Sequence, residues 1–169
     1  PIERDGTEIL TNTEKVKAAR KMNIQLVLSA HEKKCLSCIR SKTCELQKYA
    51  HDFGVEEDYF TPVRKDKFEI EDSGASIVRD PNKCILCRRC GGACNRVQGI
   101  GAIGAQNRGY DTAIGCAFEE DLASTSCVNC GQCIVACPVG ALYEKDDTQK
   151  IVDALNDPTK HVAICCAPS

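Results

Sequence analysis

Two stretches of this chain carry four cysteines each at the same close spacing. Both follow the pattern C-x2-C-x2-C-x3-C, with Cys84, Cys87, Cys90 and Cys94 in the first and Cys127, Cys130, Cys133 and Cys137 in the second. Three thiolates in a tight turn can bind three irons of one cubane, while the fourth points to the neighbouring cluster. The repeat therefore predicts two 4Fe–4S clusters, one bound by Cys84, Cys87, Cys90 and Cys137 and the other by Cys94, Cys127, Cys130 and Cys133.

A third string of metal-binding residue types precedes these two. It is spaced H-x3-C-x2-C-x5-C and consists of His31, Cys35, Cys38 and Cys44. These residue types would also permit a Cys3His zinc site, but the two cubane strings in the same chain favour a third 4Fe–4S cluster. A neutral imidazole in place of a thiolate makes a cluster less negative and raises its reduction potential. The chain is thus expected to carry electrons through three clusters.

The cysteine content could instead indicate disulfides or structural zinc sites. The chain has 14 cysteines in 169 residues, but no secretory segment supports a disulfide framework. Zinc ribbons use separated C-x2-C pairs rather than four cysteines in one short run. With no Trp and aromatics at 5%, a conventional core would be thin, so the clusters are expected to hold the fold together. Three cysteines remain outside this scheme and are interpreted as free, buried thiols: Cys116, Cys165 and Cys166.

Several other function classes are disfavoured. The run from Gly99 to Gly104 matches G-x-G-x-x-G, but a dinucleotide site needs a strand before it and a long helix after it, and a hairpin turning at 107–109 is expected here instead. A net charge of −2 without a basic stripe argues against nucleic acid as a partner. No apolar run reaches the length of a membrane span, and oxygen-labile clusters favour a cytoplasmic setting. His51 and His161 are isolated and are interpreted as surface or packing residues.

The elements that must position the ligands predict an α+β fold. It would consist of a small helical His/Cys3 cluster unit followed by a two-cluster ferredoxin-like domain with pseudo-twofold symmetry. A capping box of Thr11 and Glu14 is expected to open a first helix. The helix would bury one apolar stripe, formed by Val16, Ala19, Met22, Leu26 and Ala30. A second short helix is expected within 45–60, short strands at 8–10, 77–78, 141–143 and 161–165, and a last helix at 148–156.

These elements suggest five segments along the chain. Residues 1–10 are expected to be the remnant of a preceding domain, and residues 11–60 the His/Cys3 unit. A charged linker would cover 61–80, and the ferredoxin-like domain 81–146. The remaining residues, 147–169, would supply a helix and the opening strand of a following domain.

The three strings in this order resemble the electron-transfer region of multi-cluster FeFe-hydrogenases, and the resemblance covers essentially the whole chain. Glu3–Asn12 looks like the last strand of the plant-type 2Fe–2S domain that precedes this region in the family. Residues 161–169 look like the strand that opens the hydrogen-activating domain. None of that domain's catalytic cysteine motifs is present, so no catalytic residue is expected in this chain. The resemblance implies that the H-cluster, and any 2Fe–2S cluster, belong only to parts of the protein outside it.

The resemblance also implies a function and partners. The chain would pass electrons between an external carrier, such as ferredoxin or an NAD(P)H-oxidising subunit, and an H-cluster domain that reduces protons or oxidises H2. Electrons would enter near the His31 cluster, and the Cys127, Cys130, Cys133 and Cys94 cluster would lie nearest the active site. The same strings occur in molybdenum or tungsten formate dehydrogenases and, in part, in a respiratory complex I subunit. A formate dehydrogenase relay and a free-standing polyferredoxin therefore remain alternatives, although the ending Ala167–Pro168–Ser169 favours hydrogenase.

Overall fold

The computed structural model describes residues 4–55, 60 and 68–166, which form short helices and two small sheets. The helices are α1 (Glu14–Ser29), α2 (Glu45–Asp52), α3 (Arg89–Gly92), α4 (Gln132–Ala136) and α5 (Thr148–Asn156), and α3 continues into a π-helical turn at Ala93–Val97. The strands are β1 (Ile77–Arg79), β2 (Gly104–Gln106), β3 (Ala113–Gly115) and β4 (Leu142–Glu144). Short 3-10 turns lie at Cys35–Ser37, Pro81–Lys83, Gly109–Asp111, Ala117–Glu119 and Leu122–Ser124. The predicted mixture of helices and strands is confirmed.

The two sheets are both antiparallel pairs. Strand β1 pairs with β4 so that Arg79 lies opposite Leu142, which brings the segment before the first cysteine string next to the segment after the second. Strands β2 and β3 form the expected hairpin, whose turn begins at Asn107 with a φ of 57°. A strand, not a long helix, therefore follows the glycine run at 99–104, in agreement with the rejection of a dinucleotide site.

The core is built largely from residues of the cysteine strings and the strands beside them. Its buried cluster contains Leu46, Ile77, Cys90, Ile103, Ile114, Cys116, Leu122, Cys133, Cys137, Val139, Ala141 and Leu142. Leu46 comes from α2, and Ile24 and Leu28 of α1 pack against the cluster from outside. The helices before residue 55 and the ferredoxin-like part therefore share one core. No helix in the described ranges is both long and apolar enough to cross a membrane.

The first helix differs from its prediction in its start and in its buried face. Thr13 caps α1, because its side chain accepts a hydrogen bond from the Val16 backbone N–H at 3.3 Å, so the predicted capping box of Thr11 and Glu14 is wrong. The expected stripe is also wrong, since Met22 is 52% exposed and Leu26 is 49% exposed. The helix instead packs through Ile24, Gln25 and Leu28, which lie on nearly the opposite side of the helix from that stripe.

The two outer strands that the sequence predicted are not formed. Residues 7–11 and 161–166 have no regular secondary structure, and Ile9 and Ile164 are 59% and 89% exposed. A strand needs a partner for its backbone groups, and no described strand pairs with either segment. Cys165 and Cys166 are exposed, so their predicted burial is wrong, whereas Cys116 is buried as expected.

The middle of the chain is described only in part. The helix predicted within 45–60 ends at Asp52, and Gly54 follows with a φ of 54°. Residues 56–59, at the end of the predicted His/Cys3 unit, and residues 61–67, the first seven of the predicted linker, lie outside the described residues. The predicted strands at 77–78 and 141–143 and the predicted helix at 148–156 are confirmed as β1, β4 and α5.

Candidate metal centres

The first predicted ligand set surrounds one cavity, called site A here. The cavity of about 400 Å³ is lined by Cys84, Cys87, Cys90 and Cys137, with apolar walls from Ile85, Ile114 and Val139. Asp80 accepts a hydrogen bond from the Asn82 backbone N–H and so caps the Pro81–Lys83 turn that leads into Cys84. Cys137 follows the end of α4, so the fourth thiol of the second string reaches the first string's cavity.

The second predicted ligand set surrounds a neighbouring cavity, site B. It measures about 440 Å³ and is lined by Cys94, Cys127, Cys130 and Cys133, with apolar walls from Ile100, Ile103 and Leu122. Cys94 lies in the π-helical turn after α3, and Cys133 lies within α4. Each string thus contributes three thiols to one cavity and one to the other, the exchange expected from the spacing.

The third predicted set lines a smaller cavity, site C, of about 280 Å³. Its donors are His31, Cys35, Cys38 and Cys44, and Gly140 of the ferredoxin-like part closes one side. Burial lowers the pKa of His31, while a hydrogen bond to the Lys83 backbone opposes this shift. Nδ1 of His31 is buried and has no hydrogen-bond partner among the described residues. A neutral imidazole with an unsatisfied ring nitrogen, in a cavity that three cysteines also line, fits a metal-ligand role.

The backbone of the two cysteine strings turns in the same way. Leu86 and Asn129 occupy matching positions with φ values of 56° and 54°, and Arg88 and Gly131 match with φ values of 61° and 72°. Residues in this left-handed region alternate with ordinary ones to form concave nests of backbone N–H groups, which are suited to anions such as Fe–S clusters. Non-glycine residues adopt this conformation at a cost of ~1–2 kcal/mol, so its presence at Leu86 and Arg88 indicates a functional constraint.

The burial of the thiols indicates that they need a metal to ionise. Burial raises the pKa of Cys90 to about 12 and that of Cys133 to about 11, so both are protonated near neutral pH in the absence of metal. Metal binding replaces these protons. Among the described residues no three His, Cys, Asp or Glu side chains are close enough to share a single metal ion.

Sites A and C are joined by direct contacts. The Glu45 backbone N–H donates to the Pro138 carbonyl at 3.1 Å, and Nη2 of Arg40 donates to the Ile134 carbonyl at 2.8 Å. A Cβ placed on Gly140 would lie only 2.5 Å from Sγ of Cys38. The segment after Cys137 therefore lies against both sites.

Sequence reasoning missed two residues of this region. Gly140 lacks any local signal, because its role comes from a sulfur that lies far away in the chain. Arg79 was read only as part of a linker, yet its side chain lines both site A and site B. His51 and His161 are exposed, as expected.

Two family models match the chain. The NADH-ubiquinone oxidoreductase-G iron-sulfur binding region matches residues 20–58, which contain the donors of site C. The ferredoxin-like domain of NADH-quinone oxidoreductase subunit 3 matches residues 74–143, which contain the donors of sites A and B.

Two curated hydrogenases align with nearly the whole chain. The NADP-reducing hydrogenase subunit HndD of Solidesulfovibrio fructosivorans is 42% identical over 165 residues, which are 98% of this chain and 28% of that protein. Iron hydrogenase 1 of Clostridium pasteurianum is 39% identical over 167 residues, which are 98% of this chain and 29% of that protein. The chain therefore spans less than a third of the length of either relative.

A solved structure supports the fold. A chain of the NAD+-reducing [NiFe]-hydrogenase in the H2-reduced state superposes with a TM-score of 0.77 at 26% sequence identity, and the match covers 84% of this chain and 60% of that one. Together with the family models and the relatives, this match identifies the chain as an iron–sulfur electron-transfer region, with 4Fe–4S clusters, of a hydrogenase-like or NADH-quinone oxidoreductase-like protein.

Proposed function

We propose that this chain is the iron–sulfur relay of an FeFe-hydrogenase. The observation that carries the proposal is the extent of similarity: both hydrogenase relatives align with 98% of the chain, including residues before 20 and after 143 that the NADH oxidoreductase models leave uncovered. The residues found here would transfer electrons, while proton reduction or H2 oxidation would take place at an H-cluster in another domain.

The relay would hold three 4Fe–4S clusters. Their ligands would be Cys84, Cys87, Cys90 and Cys137 at site A, Cys94, Cys127, Cys130 and Cys133 at site B, and His31, Cys35, Cys38 and Cys44 at site C. The four donors around each cavity and the paired left-handed turns support this assignment. When bound, the clusters would supply reversible one-electron storage. The matching backbone turns of the two strings also support a pseudo-twofold relation between them.

The cavities suggest an order for the relay. Site C adjoins site A through residues 139–141, of which Gly140 lines site C and its two neighbours line site A. Site A adjoins site B through Arg79 and Leu142, which line both. Electrons would enter at site C, cross site A and leave from site B towards the catalytic domain. The imidazole ligand suits site C to entry, because a neutral ligand raises its potential.

The proposal extends to partners and domain boundaries. One relative is named as NADP-reducing, which supports a subunit that exchanges electrons with NADP(H), such as an NAD(P)H-oxidising subunit, as the redox partner, with ferredoxin as the other possibility. The proposed segments are a remnant of a preceding domain at 1–10, the site C unit at 11–60, a linker at 61–80, the ferredoxin-like domain at 81–146, and the start of the catalytic domain at 147–169.

A second candidate is a relay of an NADH-quinone oxidoreductase-like enzyme. Both matching family models carry that name, and together they include all twelve proposed ligands. Hydrogen-dependent reduction of viologen by the full-length protein separates the candidates: activity supports the hydrogenase relay, and its absence in a cluster-loaded protein that oxidises NADH supports the second candidate.

The cofactor content has a direct test. The anaerobically purified chain should contain about twelve irons and about twelve sulfides, four of each per cubane. A few zinc ions per chain without sulfide would contradict the proposal. Metal and sulfide analysis of the same sample gives both numbers.

The ligand role of His31 can be tested separately. His31→Cys should lower the reduction potential of one cluster, because a thiolate adds negative charge, while the two other potentials remain unchanged. His31→Ala should perturb the same cluster and leave the pair at sites A and B intact. EPR-monitored redox titration reports each cluster, and an unchanged potential in His31→Cys would argue against imidazole ligation.

A further inference from the structure

Two described residues, Arg79 and Leu142, line both site A and site B, and of these two Arg79 is charged. It ends β1 opposite Leu142 of β4, and these two residues together separate the cavities. The Arg79 side chain is only 15% exposed. A guanidinium stays charged in proteins, so a largely buried positive charge lies between the two cysteine-lined cavities.

The guanidinium is held in place by the β2–β3 hairpin. Nη1 of Arg79 donates to the Ile114 carbonyl at 2.6 Å. The group also packs over Gly115, where an added Cβ would lie 3.4 Å from Nη1. These contacts fix the charge between the cavities and keep it from reaching solvent.

The counter-ion of Arg79 compensates this charge only loosely. Oε2 of Glu71 lies 3.8 Å from Nε of Arg79, and both atoms are buried without a hydrogen-bond partner among the described residues. The other carboxylate oxygen of Glu71 accepts hydrogen bonds from the backbone N–H groups of Ser73 and Leu122, at 3.1 and 3.4 Å. The Glu71 carboxylate thus also interacts with two backbone N–H groups. It therefore neutralises the Arg79 charge only in part, and the remaining positive charge can act on the two cavities.

We propose that Arg79 is a shared positioning residue that raises the reduction potentials of the clusters at both site A and site B. The inference rests on the proposed function, because it requires clusters in both cavities. Reduction adds one negative charge to a cluster, and a nearby positive charge in a low-dielectric interior stabilises that reduced state. Because Arg79 lines both cavities, removal of its charge lowers both potentials together.

Three substitutions and one control test this role. Arg79→Gln removes the charge but keeps a side-chain N–H donor, and it should shift both potentials to more negative values. Arg79→Lys keeps the charge and should leave them close to those of the unaltered protein. Glu71→Gln removes the counter-ion and should shift both potentials in the positive direction. Arg108→Gln removes the same charge from the exposed hairpin turn and should shift neither.

The measurement is an EPR-monitored redox titration of the anaerobically purified, cluster-loaded chain, preceded by iron and sulfide analysis. If the purified chain contains no iron, the proposed function is refuted. If the clusters are present but neither Arg79→Gln nor Glu71→Gln changes their reduction potentials, only this inference is refuted. Equal shifts in Arg79→Lys and Arg79→Gln would also overturn it, since loss of the guanidinium geometry rather than loss of the charge would then be responsible. If Arg79→Gln loses its clusters, the sign of the shift in Glu71→Gln decides: a positive shift supports the inference, and no shift overturns it.

Discussion

Gly140 lines site C, and its chain neighbours Val139 and Ala141 line site A. Its φ lies outside the left-handed region, so the backbone does not require glycine there. The requirement is steric, because an added Cβ would lie 2.5 Å from Sγ of Cys38 and 3.8 Å from Cδ of Lys83. A free cysteine could rotate away from such a methyl group, but a cysteine bound to a cluster could not. The constraint at Gly140 therefore depends on ligation at site C.

This dependence gives a prediction for Gly140→Ala. In the cluster-loaded chain the extra methyl group should destabilise the protein by ~1–3 kcal/mol, the usual cost of overpacking, and should perturb the EPR signal of the cluster proposed at site C. Gly104→Ala is the matched control, because nothing lies within 4 Å of a Cβ added there and its φ is not left-handed. Denaturant unfolding under anaerobic conditions gives the free energies. Equal costs in the two variants would contradict the sulfur contact.

At the scale of elements, the two cysteine strings are the same turn built from different residues. Each leads through two left-handed positions into a short helix, α3 or α4. The second left-handed position is Arg88 in one string and Gly131 in the other. Glycine alone therefore does not determine the turn, which also depends on the proposed ligands and the nest of N–H groups. At its second left-handed position the first string has the backbone strain of a non-glycine residue, and the second string, with Gly131 there, does not.

The prediction at this scale compares two glycines in open space. Nothing lies within 4 Å of a Cβ added to Gly131 or to Gly92, but Gly131 has a φ of 72° and Gly92 a helical φ of −61°. Gly131→Ala should destabilise the loaded chain by ~1–2 kcal/mol, whereas Gly92→Ala should stabilise it by up to ~1 kcal/mol. Thermal unfolding followed by circular dichroism compares them. A stabilising Gly131→Ala would mean that the left-handed turn is not maintained in solution.

The elements that sequence could predict are those with local signals. Helix α5 is followed by Asp157–Pro158, and the β2–β3 hairpin has Asn107 and Gly109 in its turn, so their positions follow from short-range chemistry. The buried face of α1 depends on which segment packs against it, and periodicity selected the wrong face. The donors of all three sites follow from spacing alone. Arg79 and Gly140 could not be found in this way, because pairing and packing between distant segments bring them to the cavities.

In the whole molecule, several of the proposed ligands are also core residues. Cys90, Cys133 and Cys137 belong to the main buried cluster, and the cavities of sites A and B lie between that cluster and the two strings. Apolar residues around empty cavities lose packing contacts, and the loss grows with cavity volume. The apolar side chains that could compensate are few, since the chain has only four Phe, four Tyr and no Trp.

Removal of the clusters should therefore unfold the ferredoxin-like part. Oxidation of the clusters by air in the presence of an iron chelator, which binds the released iron, is expected to abolish the cooperative thermal transition, a loss comparable to the ~5–15 kcal/mol that stabilises an ordinary domain. Anaerobic reconstitution with iron and sulfide should restore the transition, which serves as the control for chemical damage. Near-ultraviolet circular dichroism and a melting curve, recorded before and after each step, make the comparison. An iron-free chain that keeps a sharp transition would mean that the apolar residues alone hold the core, and that the thiols are accessory to the fold.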